Sequence, residues 1–205
     1  MKWFKSLLRG RPKMSFEEVV GFYRELGFFQ DRPSETVPET ARRLADRFKA
    51  EWGKSPNPNA LGFDKVLLTY DEDRVWADDP EADVGCGNEV YVRVLPQWSF
   101  ISLGCFRPTD IREVWHSQKG PVEVLFQLEG QQVKLSPKYL DDYIDIEGVL
   151  TQINRLIAHT GRRFECLADV NFATVFLINE ADRERLISVR GLEFAWSKRR
   201  RGWHR

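Results

Sequence analysis

The sequence predicts an α+β fold, and three observations carry that prediction. Residues 15–53 and 145–161 place apolar side chains at helical spacing, whereas residues 65–135 alternate with a period of two. Connections between the alternating segments are short, which favours antiparallel pairing. The order of helices, then strands, then helix–strand–helix suits α+β rather than a doubly wound sheet. The expected architecture is an antiparallel, meander-like sheet of about five or six strands packed with N-terminal and C-terminal helices. Residues 14–196 read as a single α+β domain between a basic segment at 1–13 and a basic tail at 197–205.

In order along the chain, "SFEEVVGFYRELG" offers Ser15 as an N-cap and Glu18 three residues later, the pattern of a capping box. Phe16, Val19, Val20, Tyr23 and Leu26 form its apolar stripe, and Gly27 sits where the helix should stop. The next helix, in "PSETVPETARRLADRFKAEWG", turns Ala41, Leu44, Ala45, Phe48 and Trp52 one way, with Glu39–Arg43 as an i,i+4 pair and Gly53 as its end. Pro, Asn and Gly then mark residues 54–62 as a loop.

"KVLLTY" and "RVWA" read as strands of a hairpin about Asp71–Asp73. "NEVYVRVLP", with Val90, Val92 and Val94 alternating, and "QWSFISLGCF" read as the next two strands. "VEVLFQL" and "QVKLS" read as a hairpin across "EGQ". Helix returns at residues 145–161, with Asp145 as N-cap and Ile146, Val149, Leu150, Ile153, Leu156 and Ile157 as the buried stripe. "NFATVFLI" is apolar almost throughout, which fits a central strand. A short helix between Asn179 and Gly191, a last strand "LEFAW" and the tail "SKRRRGWHR" complete the chain.

The 205 residues are 42% hydrophobic and 30% charged, enough to bury a core without metals or disulfides to staple it. Cys86, Cys105 and Cys166 are odd in number and widely separated, which favours reduced thiols and a cytoplasmic setting. No apolar run is long enough for a transmembrane helix, and no secretory signal is recognised. The formal net charge is zero, but ten of the 31 basic residues lie in segments 1–13 and 197–205, which hold no acid. The remaining 21 face 31 acidic side chains, so the body is about ten units negative. That balance argues against nucleic acid as a partner. Trp3, Phe4, Leu7 and Leu8 fall opposite Lys2, Lys5 and Arg9, a pattern for weak membrane-surface contact by residues 1–13 or for docking of a short helix on its own domain.

The conspicuous candidate site is "DEDRVWADDPEAD", residues 71–83, with Asp71, Glu72, Asp73, Asp78, Asp79, Glu81 and Asp83 around Arg74. A calcium loop begun at Asp79 would need Gly at its sixth position and Glu at its twelfth. Those positions are Val84 and Val90, with Gly85 one residue late and Glu89 one early. Acid–base work needs an apolar pocket to hold one carboxyl protonated, and the segment offers none. What remains is a solvated loop or a face for a basic protein, with Trp76 and Trp98 as its aromatic centre.

Cys86 lies between two glycines in "GCGN", so a Cys–His site with His116 is the weak catalytic candidate. The acids around it disfavour the thiolate. His159 near a helix end suits a cation at the negative end of the dipole. No pair of metal ligands at close spacing occurs, no cofactor motif is present, and the nucleotide-binding glycine patterns are missing. The expectation is a non-enzymatic cytosolic protein-binding module that recognises a basic partner through its acidic face. In general character it is similar to small immunity proteins that neutralise bacterial toxins, a likeness of size, acidity and missing catalytic motifs. The alternatives are a hydrolase with dispersed residues, either Cys/His or an acidic metal site, and a peripheral membrane or assembly factor. Oligomeric state is not legible.

Overall fold

The computed structural model describes residues 12–168 and 172–195. The chain divides into two units, residues 1–70 with 181–192 and residues 71–180 with 193–205. The membrane-contact segment and the basic tail lie outside the described residues, apart from Pro12 and Lys13. Among the described residues no helix is long and apolar enough to cross a membrane.

The first unit holds α1 (Phe16–Glu25), α2 (Val37–Trp52), α3 (Phe63–Leu68) and, beyond its first residue, α6 (Glu180–Arg190). α1 starts where expected: Glu18 N–H donates to Ser15 Oγ at 3.2 Å and Ser15 N–H donates to Glu18 Oε2 at 2.7 Å. In α2 the pairing differs from the expected Glu39–Arg43. Glu39 caps the helix by accepting from Thr36 N–H at 2.8 Å, and Arg43 reaches Glu35 at 3.0 Å and Asp31 at 3.1 Å. Trp52 is half exposed rather than turned inward, its ring stacked on Phe48. The unit's interior is aromatic: Phe63 meets Phe16 and Phe48, and Tyr23 meets Phe28 and Phe29 edge-on.

Residues 65–70, read as a strand, lie mostly in α3. Phe63, Asp64, Leu67 and Leu68 are buried at i, i+1, i+4 and i+5, a helical stripe that the run "KVLL" conceals. α6 is held to α1 by Arg185, which donates to Glu25 at 2.6 Å and lies over the Phe22 ring.

The second unit holds β1 (Val75–Asp78), α4 (Val90–Phe100), β2 (Thr109–Trp115), β3 (Val122–Leu128), β4 (Gln131–Leu135), α5 (Ile146–Leu156), β5 (Arg162–Ala168) and β6 (Ala173–Asn179). The fold class is α+β as expected. The strands form two antiparallel sheets of three, ordered β1-β6-β5 and β2-β3-β4, rather than one meander of five or six. The two strands read at residues 88–106 are α4 and the turns after it. Val90, Tyr91, Val94, Leu95 and Trp98 are buried along one side of that helix, so its valines serve a 3.6-residue period. Residues 192–195 of "LEFAW" are not in a strand; Ala195 N–H donates to the Cys166 carbonyl, and Phe194 packs on Phe176. β2 and β5 carry charged residues among the apolar ones and were not anticipated.

Other expectations hold. β6 is central and buried from Ala173 to Ile178. β3 and β4 form the hairpin, closed by Glu129 and Gly130, both at positive φ as a tight turn of this hand requires. Asp145 caps α5 by accepting from Gly148 N–H at 3.0 Å. Ile146, Val149, Leu150 and Ile153 then join Phe126, Phe164, Val175 and Trp98 in one core cluster.

Candidate functional site

The acidic stretch 71–83 is not one loop. β1 runs through it and pairs with β6, in the register Val75↔Phe176 to Asp78↔Ala173, so Asp71–Asp73 and Asp78–Asp83 lie at opposite ends of a strand. Asp71 is buried, and its carbonyl accepts from Arg74 and Val75 in the turn that starts the strand. Glu72 and Asp73 are exposed beside that turn.

Trp76 and Trp98 do not face solvent. Trp98 is fully buried, Trp76 nearly so, and their rings meet edge-on with centroids 5.7 Å apart. Trp76 Nε1 donates to Gln97 Oε1 at 2.6 Å. The aromatic centre expected for the acidic face is therefore part of the hydrophobic interior.

The other end of β1 gathers charge. Asp78 Oδ1 accepts from the adjacent Asp79 N–H, and Asp79 Oδ1 accepts from Glu81 N–H two residues on, an Asx turn. The same backbone pairs with residues 140–144: Ala82 N–H donates to Asp142 O at 2.8 Å, Ile144 N–H to Pro80 O at 2.9 Å, and Glu81 and Tyr143 form a bridge. Asp79, Glu81, Asp83 and Asp142 consequently line one shallow cleft. Tyr143 Oη donates to Glu81 Oε2 at 3.3 Å. The Glu81 charge, with that hydrogen bond, lifts the Tyr143 phenol above its ordinary range. Partial burial and then the charge of Asp141 lift Tyr139, with Asp142 and Asp83 adding to it. Neighbouring carboxylates contribute to both shifts.

Leu140 and Tyr143 are the exposed apolar side chains here, at 44% and 39%. Sequence reasoning missed them, together with Asp141 and Asp142. The signal available was the second acidic run, "YLDDY", some sixty residues further on. Residues 71–180 as a whole hold 19 acidic against 10 basic side chains, so the excess negative charge falls in this part of the chain.

Among the described residues no three His, Cys, Asp or Glu side chains are placed to hold one metal ion. Cys86 sits exposed in the turn Gly85–Asn88, closed by Asn88 N–H to Gly85 O. His116 is half exposed, with Nε2 4.0 Å from Glu123 Oε1, and no hydrogen bond joins it to Cys86. His159 lies past the end of α5, Nδ1 3.3 Å from the Leu156 carbonyl, as its position near a helix end suggested. None of the three cysteines forms a disulfide. Against known proteins, the chain matches no family model, no curated protein and no solved structure.

Proposed function

We propose that this protein is a non-enzymatic binding module that takes a basic protein partner on the patch formed by Asp79, Glu81, Asp83, Asp141 and Asp142, with Leu140 and Tyr143 as its apolar contacts. The observation that carries the reading is the joining of two distant acidic runs by backbone pairing at Ala82–Asp142. An exposed Tyr ringed by carboxylates offers contact area at low entropic cost, while the charges steer a basic partner and repel acidic ones. Three cysteines outside any disulfide suit a reducing compartment, which supports a cytoplasmic module. Its size and acidity suit neutralisation of a basic toxin or enzyme, as immunity proteins do.

The test is capture of a binding protein at low salt, its identification, and measurement of its affinity for purified variants. Lysine at Asp79, Glu81 and Asp83 should weaken binding by at least about tenfold, and rising salt should slow association. Tyr143→Ala should speed dissociation. Failure to capture any basic protein at low salt would sink the reading, as would an affinity indifferent to the three lysines.

A further inference from the structure

A second concave surface in residues 71–180 has the opposite sign. A cleft of about 540 Å³ opens between the end of α5 and the start of β5, lined by Thr151, Asn154, Arg155, Arg162, Arg163 and Glu180 among others. Its walls are fixed by Asn154, which clamps α5 to β5. Asn154 Oδ1 accepts from Phe164 N–H at 2.6 Å and its Nδ2 donates to Phe164 O at 2.9 Å. The chain turns into β5 through Gly161 at φ +68°, a position with open space around it.

Three of the ten basic side chains of this acidic region thus converge on one cleft. Arg163 is committed, with Nε 2.8 Å from Glu165 and Nη1 3.8 Å from Glu180. Among the described residues Arg155 and Arg162 have no side-chain hydrogen bond or ion pair, although 19 carboxylates lie in the same stretch of chain. A helix C-terminus accounts for one cation, Arg155. Arg162, at the start of β5, brings a second guanidinium to the same cleft. Among the described residues that line the cleft, Glu180, 3.8 Å from Arg163, is the one carboxylate against three arginines.

We infer that this cleft is an oxyanion site, in which Arg155 and Arg162 take a phosphate-bearing small ligand. Each guanidinium presents parallel N–H groups matched to two phosphate oxygens. The Thr151 hydroxyl supplies a further donor at the cleft's edge. The volume falls in the range of small-ligand sites and leaves room for more than a bare phosphate. The site is separate from the acidic patch and does not depend on it.

Calorimetric titration of the full-length chain with inorganic phosphate, and then with pyrophosphate, at constant ionic strength tests the site. Saturable one-to-one binding is expected, tighter for pyrophosphate. Arg155→Ala and Arg162→Ala should each weaken it by about tenfold or more, from the usual worth of a charge-assisted pair. Thr151→Glu, which sets a carboxylate at the cleft on an exposed helical position, should abolish it. Arg112→Ala, an exposed arginine on β2, should leave it unchanged. The inference is overturned if neither anion saturates, if either cleft arginine can be removed without loss, or if Arg112→Ala weakens binding as much as they do.

Discussion

Arg190 Nε lies 2.7 Å from Asp64 Oδ1, and both side chains are sealed from water. The same guanidinium donates to Pro58 O at 2.7 Å, and the same carboxylate oxygen accepts from Tyr23 Oη at 2.8 Å. One buried network therefore ties the last residue of α6 to α1, to α3 and to the loop before α3. Removing one member strands a buried charge, which costs roughly 3–5 kcal/mol. Arg190→Met and Asp64→Asn should each lower the unfolding free energy by about that amount in denaturant titrations. The double variant should fall well short of the sum, because it leaves no lone charge.

Tyr23 adds a pH dependence to the same network. Burial first, and then the Asp64 charge, raise its phenol well above the ordinary value of 10.0. The unfolded chain gives up this proton near pH 10 and the folded chain does not. The contribution is therefore complete below about pH 10 and is lost as pH rises beyond it. Tyr23→Phe should be less stable than the parent at pH 8 by about 1–3 kcal/mol, having orphaned an acceptor. The gap should narrow by pH 11. A gap that stays constant would mean that Tyr23 ionises alike in both states.

Trp98 separates a core role from a docking role. As a fully buried residue packed on Trp76, its replacement by Ala should cost about 3–5 kcal/mol in chemical denaturation. An exposed interface anchor would change stability by only about 0.5 kcal/mol.

Why these tryptophans were misplaced shows what the sequence can and cannot reveal. α1 was legible because Ser15 and Glu18 act on each other within one turn. α4 was not, because its apolar residues satisfy two periods: Val90, Val92 and Val94 alternate, while Val90, Tyr91, Val94, Leu95 and Trp98 follow a helix. Only the surrounding core decides between them. β5 gave only a short signal: Phe164 and Cys166 alternate with Arg163 and Glu165 before Leu167 and Ala168 end the pattern, and the buried Glu165 is ion-paired with Arg163. The acidic patch was half legible. Asp79, Glu81 and Asp83 announce themselves by composition, but their junction with Asp141 and Asp142 is a long-range backbone pairing that no local pattern encodes. The unpaired arginines of the cleft gave no signal at all, since Arg155 ends a helix and Arg162 begins a strand.

The N-terminus of α5 yields a prediction that runs against helix propensity. Gly148 lies in the first turn, where Ala would ordinarily be favoured by about 1 kcal/mol. A Cβ at this position would stand 2.1 Å from Asp145 Oδ2, so the carboxylate must move. That carboxylate accepts from Gly148 N–H at 3.0 Å and from Lys138 N–H at 2.8 Å, and it is buried. Displacing it forfeits the cap, worth about 0.5–2 kcal/mol, and leaves the Lys138 amide without its acceptor, about 1–3 kcal/mol more. Gly148→Ala should therefore destabilise by roughly 1–3 kcal/mol net. In an Asp145→Ala background, where no carboxylate remains to be displaced, the same substitution should stabilise by up to about 1 kcal/mol. This reversal of sign, read from four urea curves, is the outcome that steric eviction of the cap requires. A Gly148→Ala effect of the same sign in both backgrounds would place the cost in the helix backbone instead.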